Sequence, residues 1–157
     1  MLDQKFLSYI AGFIDGDGCI MAQLVRRKDY IYGYQIRTSI VFYQKSINRH
    51  HLEWIKSKLK VAYIRDRKDG MSEYTIVGFK EVNRILNLIQ SYIMLKQELV
   101  KLVLEITKLK RPSLEELISY AKLVDQSAKF NFSKKRTNTS EILQKFLIAK
   151  GIYPRND

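Results

Sequence analysis

The sequence predicts an α+β domain on one mostly antiparallel sheet, and three observations predict it. Two strongly alternating apolar and polar runs lie between residues 19 and 42. A second alternating pair brackets the turn residues Lys68, Asp69 and Gly70, and most remaining apolar positions recur at helical spacing. The resulting order is α-β-β-α-β-β-α, followed by C-terminal helices.

Residues 5–15 form the first helix, with Phe6, Ile10, Phe13 and Ile14 on one side and a stop at the glycines that follow. Along residues 19–27, Ile20, Ala22 and Leu24 face one way and Met21, Gln23, Val25 and Arg27 the other, the pattern of a half-buried strand. After a loop with Asp29 and Gly33, Ile36, Thr38, Ile40 and Phe42 oppose Gln35, Arg37, Ser39 and Val41 in its hairpin partner. Ser46 offers an N-cap for a helix to about Leu59, with Ile47, Trp54, Ile55 and Leu59 at apolar positions. Residues 61–67 and 73–77 form the second hairpin, because Asp69-Gly70 readily takes positive φ. Helices are expected over 79–91, 95–110, 114–129 and 139–150; the third of these opens with Pro112, Ser113 and Glu116, a capping box. No Pro-, Gly- or Ser-rich linker and no internal repeat interrupts the chain, so residues 1–157 are expected to form one domain with 151–157 as a flexible tail.

Size and charge narrow the function. A chain of 157 residues with 46% hydrophobic content can fill a core. Its 28 Lys and Arg against 16 Asp and Glu give a net charge of +12, which suits a polyanionic partner. Only residues 1–18 are net negative, an acidic island where an anion is met through a metal. The single cysteine, Cys19, excludes a disulfide framework and a cysteine-rich zinc site. Neither a membrane-length apolar run nor a secretory leader is expected, and no membrane partner. Adjacent His50 and His51 cannot share a helix face, so they are read as solvated or capping residues.

The outward sheet residues Gln23, Arg27, Gln35, Arg37, Tyr63, Arg65 and Arg67, with Glu73 near a strand end, are rich in Arg and Gln. Arg pairs with guanine edges and Gln with adenine, and a two-stranded ribbon fits a DNA major groove; an ordinary solvated face is the alternative. Ser133, Lys134 and Arg136 in the basic stretch 131–138 have the chemistry of phosphate contacts, or of a plain solvated loop.

Residues 10–18 combine further requirements. Ser8, Gly12 and Gly16 recur every four residues, as do Ala11 and Asp15, leaving a bare helix face against which a second backbone can approach closely. Asp15 and Asp17 sit where the helix C-terminus already carries negative partial charge, which a cation would offset; carboxylate and carbonyl oxygens suit Mg²⁺. Asp-Gly-Asp-Gly is equally good turn chemistry.

This segment closely resembles the LAGLIDADG motif of homing endonucleases, matching at Ala11, Gly12, Ile14, Asp15, Asp17 and Gly18. It departs mildly at Ile10 and Phe13, for leucine, and at Gly16, for alanine. The resemblance covers residues 4–150 and points to the single-motif, homodimeric branch found in organelles, chloroplast before mitochondrion. It implies the LAGLIDADG fold with a four-stranded, saddle-shaped DNA-binding sheet. It makes Asp17 the metal-binding carboxylate with the Gly16 carbonyl as additional ligand, Gln44 the water-positioning residue and Lys96 the active-site lysine. It puts Ser8, Ala11, Gly12 and Asp15 at the dimer interface, Asp15 capping or packing there without binding metal. The implied activity is Mg²⁺-dependent cleavage of a long pseudo-palindromic duplex across the minor groove, leaving short 3′ overhangs. Mn²⁺ is expected to substitute, Ca²⁺ to bind without supporting cleavage, and no small-molecule cofactor is expected. The alternatives are an intron RNA maturase and a non-cleaving DNA-binding protein of the same fold.

Overall fold

The computed structural model describes residues 1–132 and 135–154. Helix α1 (Gln4–Gly16) starts at Asp3, whose side chain accepts from the Phe6 amide, and leads into strands β1 (Cys19–Arg26) and β2 (Tyr34–Lys45). Helix α2 (Arg49–Leu59), strands β3 (Tyr63–Asp66) and β4 (Met71–Val77), and helices α3 (Phe79–Ile89), α4 (Gln97–Ile106), α5 (Leu114–Phe130) and α6 (Ser140–Ala149) follow. The strands form one antiparallel sheet in the order β1-β2-β4-β3, with Cys19 opposite Val41, Val41 opposite Thr75 and Tyr63 opposite Thr75.

One face of the sheet carries the core. Ile20, Ile40, Phe42, Tyr74 and Ile76 are fully buried there with Ile10 and Ile14 of α1 and Leu52, Ile55, Ile85 and Leu86 of α2 and α3. Gly18 is required by close approach: a Cβ there would lie 2.7 Å from the Ile14 Cα and 3.2 Å from the Val41 carbonyl oxygen. The motif's last glycine therefore lets α1 turn directly into the sheet.

Several boundaries differ from the sequence expectation for physical reasons. Ser46 does not cap α2; its hydroxyl pairs with that of Ser72 at 2.8 Å, a 3₁₀ turn (Ser46–Asn48) intervenes, and Ile47 is 83% exposed. Lys60 and Ala62 adopt positive φ, so β3 cannot begin before Tyr63. A 3₁₀ turn (Gln90–Tyr92) closes α3, and α4 ends at Ile106, where the Thr107 hydroxyl turns back onto the Leu104 carbonyl at 2.7 Å. The capping box at Ser113 and Glu116 is present in both directions. In the expected tail, the Ile152 and Tyr153 amides both donate to the Leu147 carbonyl, and Tyr153 packs against the core. Residues 155–157 lie outside the described residues. Among the described residues no helix is long and apolar enough to cross a membrane.

Candidate active site

Asp17 follows α1 as its C-cap, with an exposed carboxylate that makes no hydrogen bond among the described residues. Beside it, the Lys96 amine donates to the carbonyls of Ile14 at 2.6 Å and Gly18 at 2.7 Å. The last turn of α1 has no basic residue of its own, so Lys96 supplies the cation that a helix C-terminus favours. The antiparallel register places Gln44 at the same end of the sheet, past the Val41–Cys19 pair. Its Oε1 accepts from the Lys45 amide at 3.1 Å and the Asn48 side chain at 3.4 Å.

Asp17 and the exposed Gly16 offer hard oxygen donors of the kind Mg²⁺ takes. Among the described residues no group of three or more His, Cys, Asp or Glu gathers to hold a metal.

Cys19 opens β1 and is half-buried. Its thiol donates weakly to Asn131 Oδ1 at 3.9 Å, and burial pushes its pKa up despite nearby Lys96, which keeps it protonated at neutral pH. His51 accepts or donates at 2.6 Å with the Tyr9 hydroxyl and stacks on Trp54 at 5.5 Å between centroids.

The outward face of the sheet carries the expected polar set, with Gln23 directly opposite Arg37 and Arg65 opposite Glu73. Gln23 and Arg37 are exposed, Gln35 is half-buried and Tyr63 is 53% exposed. Most of its arginines are restrained. Glu73, its side chain only 13% exposed, accepts from Arg65 at 2.8 Å and Arg67 at 3.2 Å, and Asp69 takes Arg67 at 2.7 Å. Asp29 holds Arg27 through two 3.1 Å contacts, which raises the guanidinium pKa and lowers that of the carboxyl. Turn carboxylates, invisible to a strand-face reading, thus reach onto the face. The sequence reading also passed over Arg111, which shares an open groove with Tyr30, Gln35 and Arg37.

Two expectations need correction. Arg136 is not a free phosphate ligand: it binds Asp125 at 2.6 Å, and the same carboxylate receives the Ser140 amide, so this pair staples the basic loop to α5 and α6. Ser133 and Lys134 lie outside the described residues. On α1, Ala11 is 0% exposed within its own chain, because it shares the buried stripe of Leu7, Ile10 and Ile14. Ser8, Gly12 and Gly16 make the exposed stripe, and a Cβ added at either glycine meets nothing within 4 Å. Exposed Tyr9, Trp54, Met94 and Leu95 add to the apolar surface around α1 and α2 and before α4. Asp15 is half-buried and turned toward residues 94–96.

The family model described as "LAGLIDADG endonuclease" matches residues 10–104. The chain belongs to the LAGLIDADG endonuclease family, and its four-stranded antiparallel sheet with flanking helices is that family's fold. DNA endonuclease I-CvuI of Chlorella vulgaris is 37% identical over 152 residues, covering 95% of this chain and 94% of its own. DNA endonuclease I-CreI of Chlamydomonas reinhardtii is 34% identical over 149 residues, covering 92% and 90%. The structure of I-CvuI in complex with its target in the presence of Ca superposes with a TM-score of 0.89 at 36% identity, over 96% of this chain and 98% of that one.

Proposed function

We propose that the chain is a site-specific homing endonuclease that acts as a homodimer on a long, pseudo-palindromic DNA duplex and hydrolyses one phosphodiester on each strand. The observation that carries this reading is an exposed Asp17 carboxylate with no hydrogen bond among the described residues, next in sequence to Gly18, whose carbonyl the Lys96 amine holds, at one end of a cationic sheet. The DNA-bound state of the I-CvuI relative supports the substrate class.

One motif supplies half a site, so the exposed stripe of Ser8, Gly12 and Gly16 is the surface for a second copy, related by a twofold axis. That pairing brings two Asp17 carboxylates together. Asp17 and the Gly16 carbonyl would hold Mg²⁺ with phosphate oxygens; such an ion stabilises phosphate charge and activates water. Mn²⁺ takes the same hard-oxygen site, and Ca²⁺ binds without supporting cleavage. Gln44 orients the attacking water, Lys96 offsets developing negative charge on the phosphate, and each sheet lies in a major groove flanking a minor-groove cut with short 3′ overhangs. The Chlorella and Chlamydomonas relatives, together with this chain's own Ile- and Lys-rich, Pro-poor composition, support an organellar setting, chloroplast before mitochondrion.

The test is incubation with a randomised long-duplex library in Mg²⁺, Mn²⁺ or Ca²⁺ and sequencing of the cut ends. Pseudo-palindromic sites cut in Mg²⁺ and Mn²⁺ but only bound in Ca²⁺ are expected. Binding without cutting in every metal overturns the enzyme and leaves a maturase or regulator of this fold.

A further inference from the structure

Asp15, the motif's other carboxylate, reaches across the molecule. It accepts from the backbone amides of Met94 at 2.7 Å, Leu95 at 3.1 Å and Lys96 at 3.1 Å, which are 79 to 81 positions away. These amides lead into α4, whose N-cap Lys96 has no side-chain cap of its own. Donors at a helix start lack intrahelical partners and carry partial positive charge, so a carboxylate there is stabilising. Asp15 therefore pins the segment that leads into α4, a helix to which it does not belong.

Lys96 closes the connection from the other side. Its amine binds the Ile14 and Gly18 carbonyls at the end of α1, where no local basic residue stands. The end of α1 thus gains the cation it lacks, and the approach to α4 gains a carboxylate in addition to Glu98 of its own first turn. A lysine on four rotatable carbons is otherwise a loosely placed cation. Here both its backbone and its amine are pinned, one residue from Asp17.

We propose that Asp15 is a positioning residue for strand cleavage: by holding the backbone of residues 94–96 it fixes the Lys96 amine at the reacting phosphate. This inference rests on the roles given above to Asp17 and Lys96. A carboxylate that served packing alone would alter stability without coupling to Lys96 in the rate.

The experiment is a double-mutant cycle. Single-turnover cleavage of the library-selected duplex is measured for wild type, Asp15→Asn, Lys96→Ala and the double variant, with Ca²⁺-supported duplex affinity and thermal unfolding of each. Asn keeps one acceptor but turns an amide NH₂ toward donors. Misplacement of a reacting group by an ångström costs about 100-fold, so each single change is expected to slow cleavage by roughly 10- to 100-fold. Duplex affinity is expected to stay within about twofold, and the double variant to be no slower than the slower single. Asp15→Glu, which keeps the carboxylate, is expected to recover part of the rate, and it carries the same cycle if the Asn variant unfolds. Multiplying effects, or wild-type cutting by Asp15→Asn, overturn the positioning role alone. Wild-type cutting by Lys96→Ala overturns the Lys96 role as well. A wild type that cuts no duplex overturns the proposed function and this inference together.

Discussion

Glu73 shows how one residue sets the character of a binding face. Its nearly buried carboxylate gathers Arg65 and Arg67, fixing where both guanidiniums point and offsetting part of their charge. Glu73→Gln is therefore expected to free both arginines, strengthen binding to any duplex and steepen its salt dependence by about one to two charges. The same change is expected to weaken discrimination between matched and mismatched sites. Binding titrations across a salt series check this, and an unchanged slope contradicts it. Asp66 makes a pH-dependent contribution of the ordinary acidic kind. The Ser72 hydroxyl at 2.7 Å and then Arg49 at 3.0 Å hold its carboxyl below the usual range. A depressed folded value means stability present at neutral pH and lost as pH falls through that value. Asp66→Asn should thus be less stable than wild type at neutral pH, with the gap closing as pH falls below the usual carboxylate range, read by urea unfolding. Asp17, Gln44 and Lys96, whose catalytic roles are proposed, could be singled out from the sequence through the family resemblance. The Asp15 link and the Asp125–Arg136 staple could not, because each joins residues that only the folded chain brings together.

Among the elements, α1 serves two surfaces with one short sequence. Its apolar stripe enters the core, while Ser8, Gly12 and Gly16 stay bare and exposed. A Cβ added at Gly12 meets nothing within 4 Å among the described residues, so the fold is expected to persist in Gly12→Leu. Self-association, however, should weaken at least about 100-fold, or ~3 kcal/mol, as sedimentation velocity would report. Gly18→Ala makes the opposite case: its Cβ meets the Ile14 backbone, so a loss of about 1–3 kcal/mol in unfolding free energy is expected. Period-2 and period-3.6 patterning was enough to place all four strands and the helices, since burial on one side dictates both. Ends were less legible. Ser46 commits its hydroxyl to Ser72 rather than to α2, and the Thr107 hydroxyl that turns back onto Leu104 also accepts from Asn83; Ser72 and Asn83 are distant in sequence, so local pattern does not reveal them. Ala11 was placed on the wrong side of α1 because small residues at four-residue spacing occur on two adjacent stripes, and only packing tells them apart.

At the scale of the whole molecule, a net charge of +12 and a sheet lined with Arg and Gln make the protein a receptor for a polyanion. The logarithm of the duplex association constant should fall steeply with the logarithm of salt concentration, with a slope of about −5 or steeper, and a slope near zero contradicts the electrostatic reading. The fold delivers that surface with one motif helix, the exposed Asp17 carboxylate and the clamped Lys96 at one end of the sheet, and two copies are the complete unit in the function proposed above. The central claim is that Asp17, at the end of that helix, carries the cleavage chemistry. Its most direct test compares wild type with Asp17→Asn for cleavage of the selected duplex in Mg²⁺, with binding measured in parallel. Loss of cutting by at least about 100-fold with binding retained is the predicted result. Cutting by Asp17→Asn at the wild-type rate would contradict it.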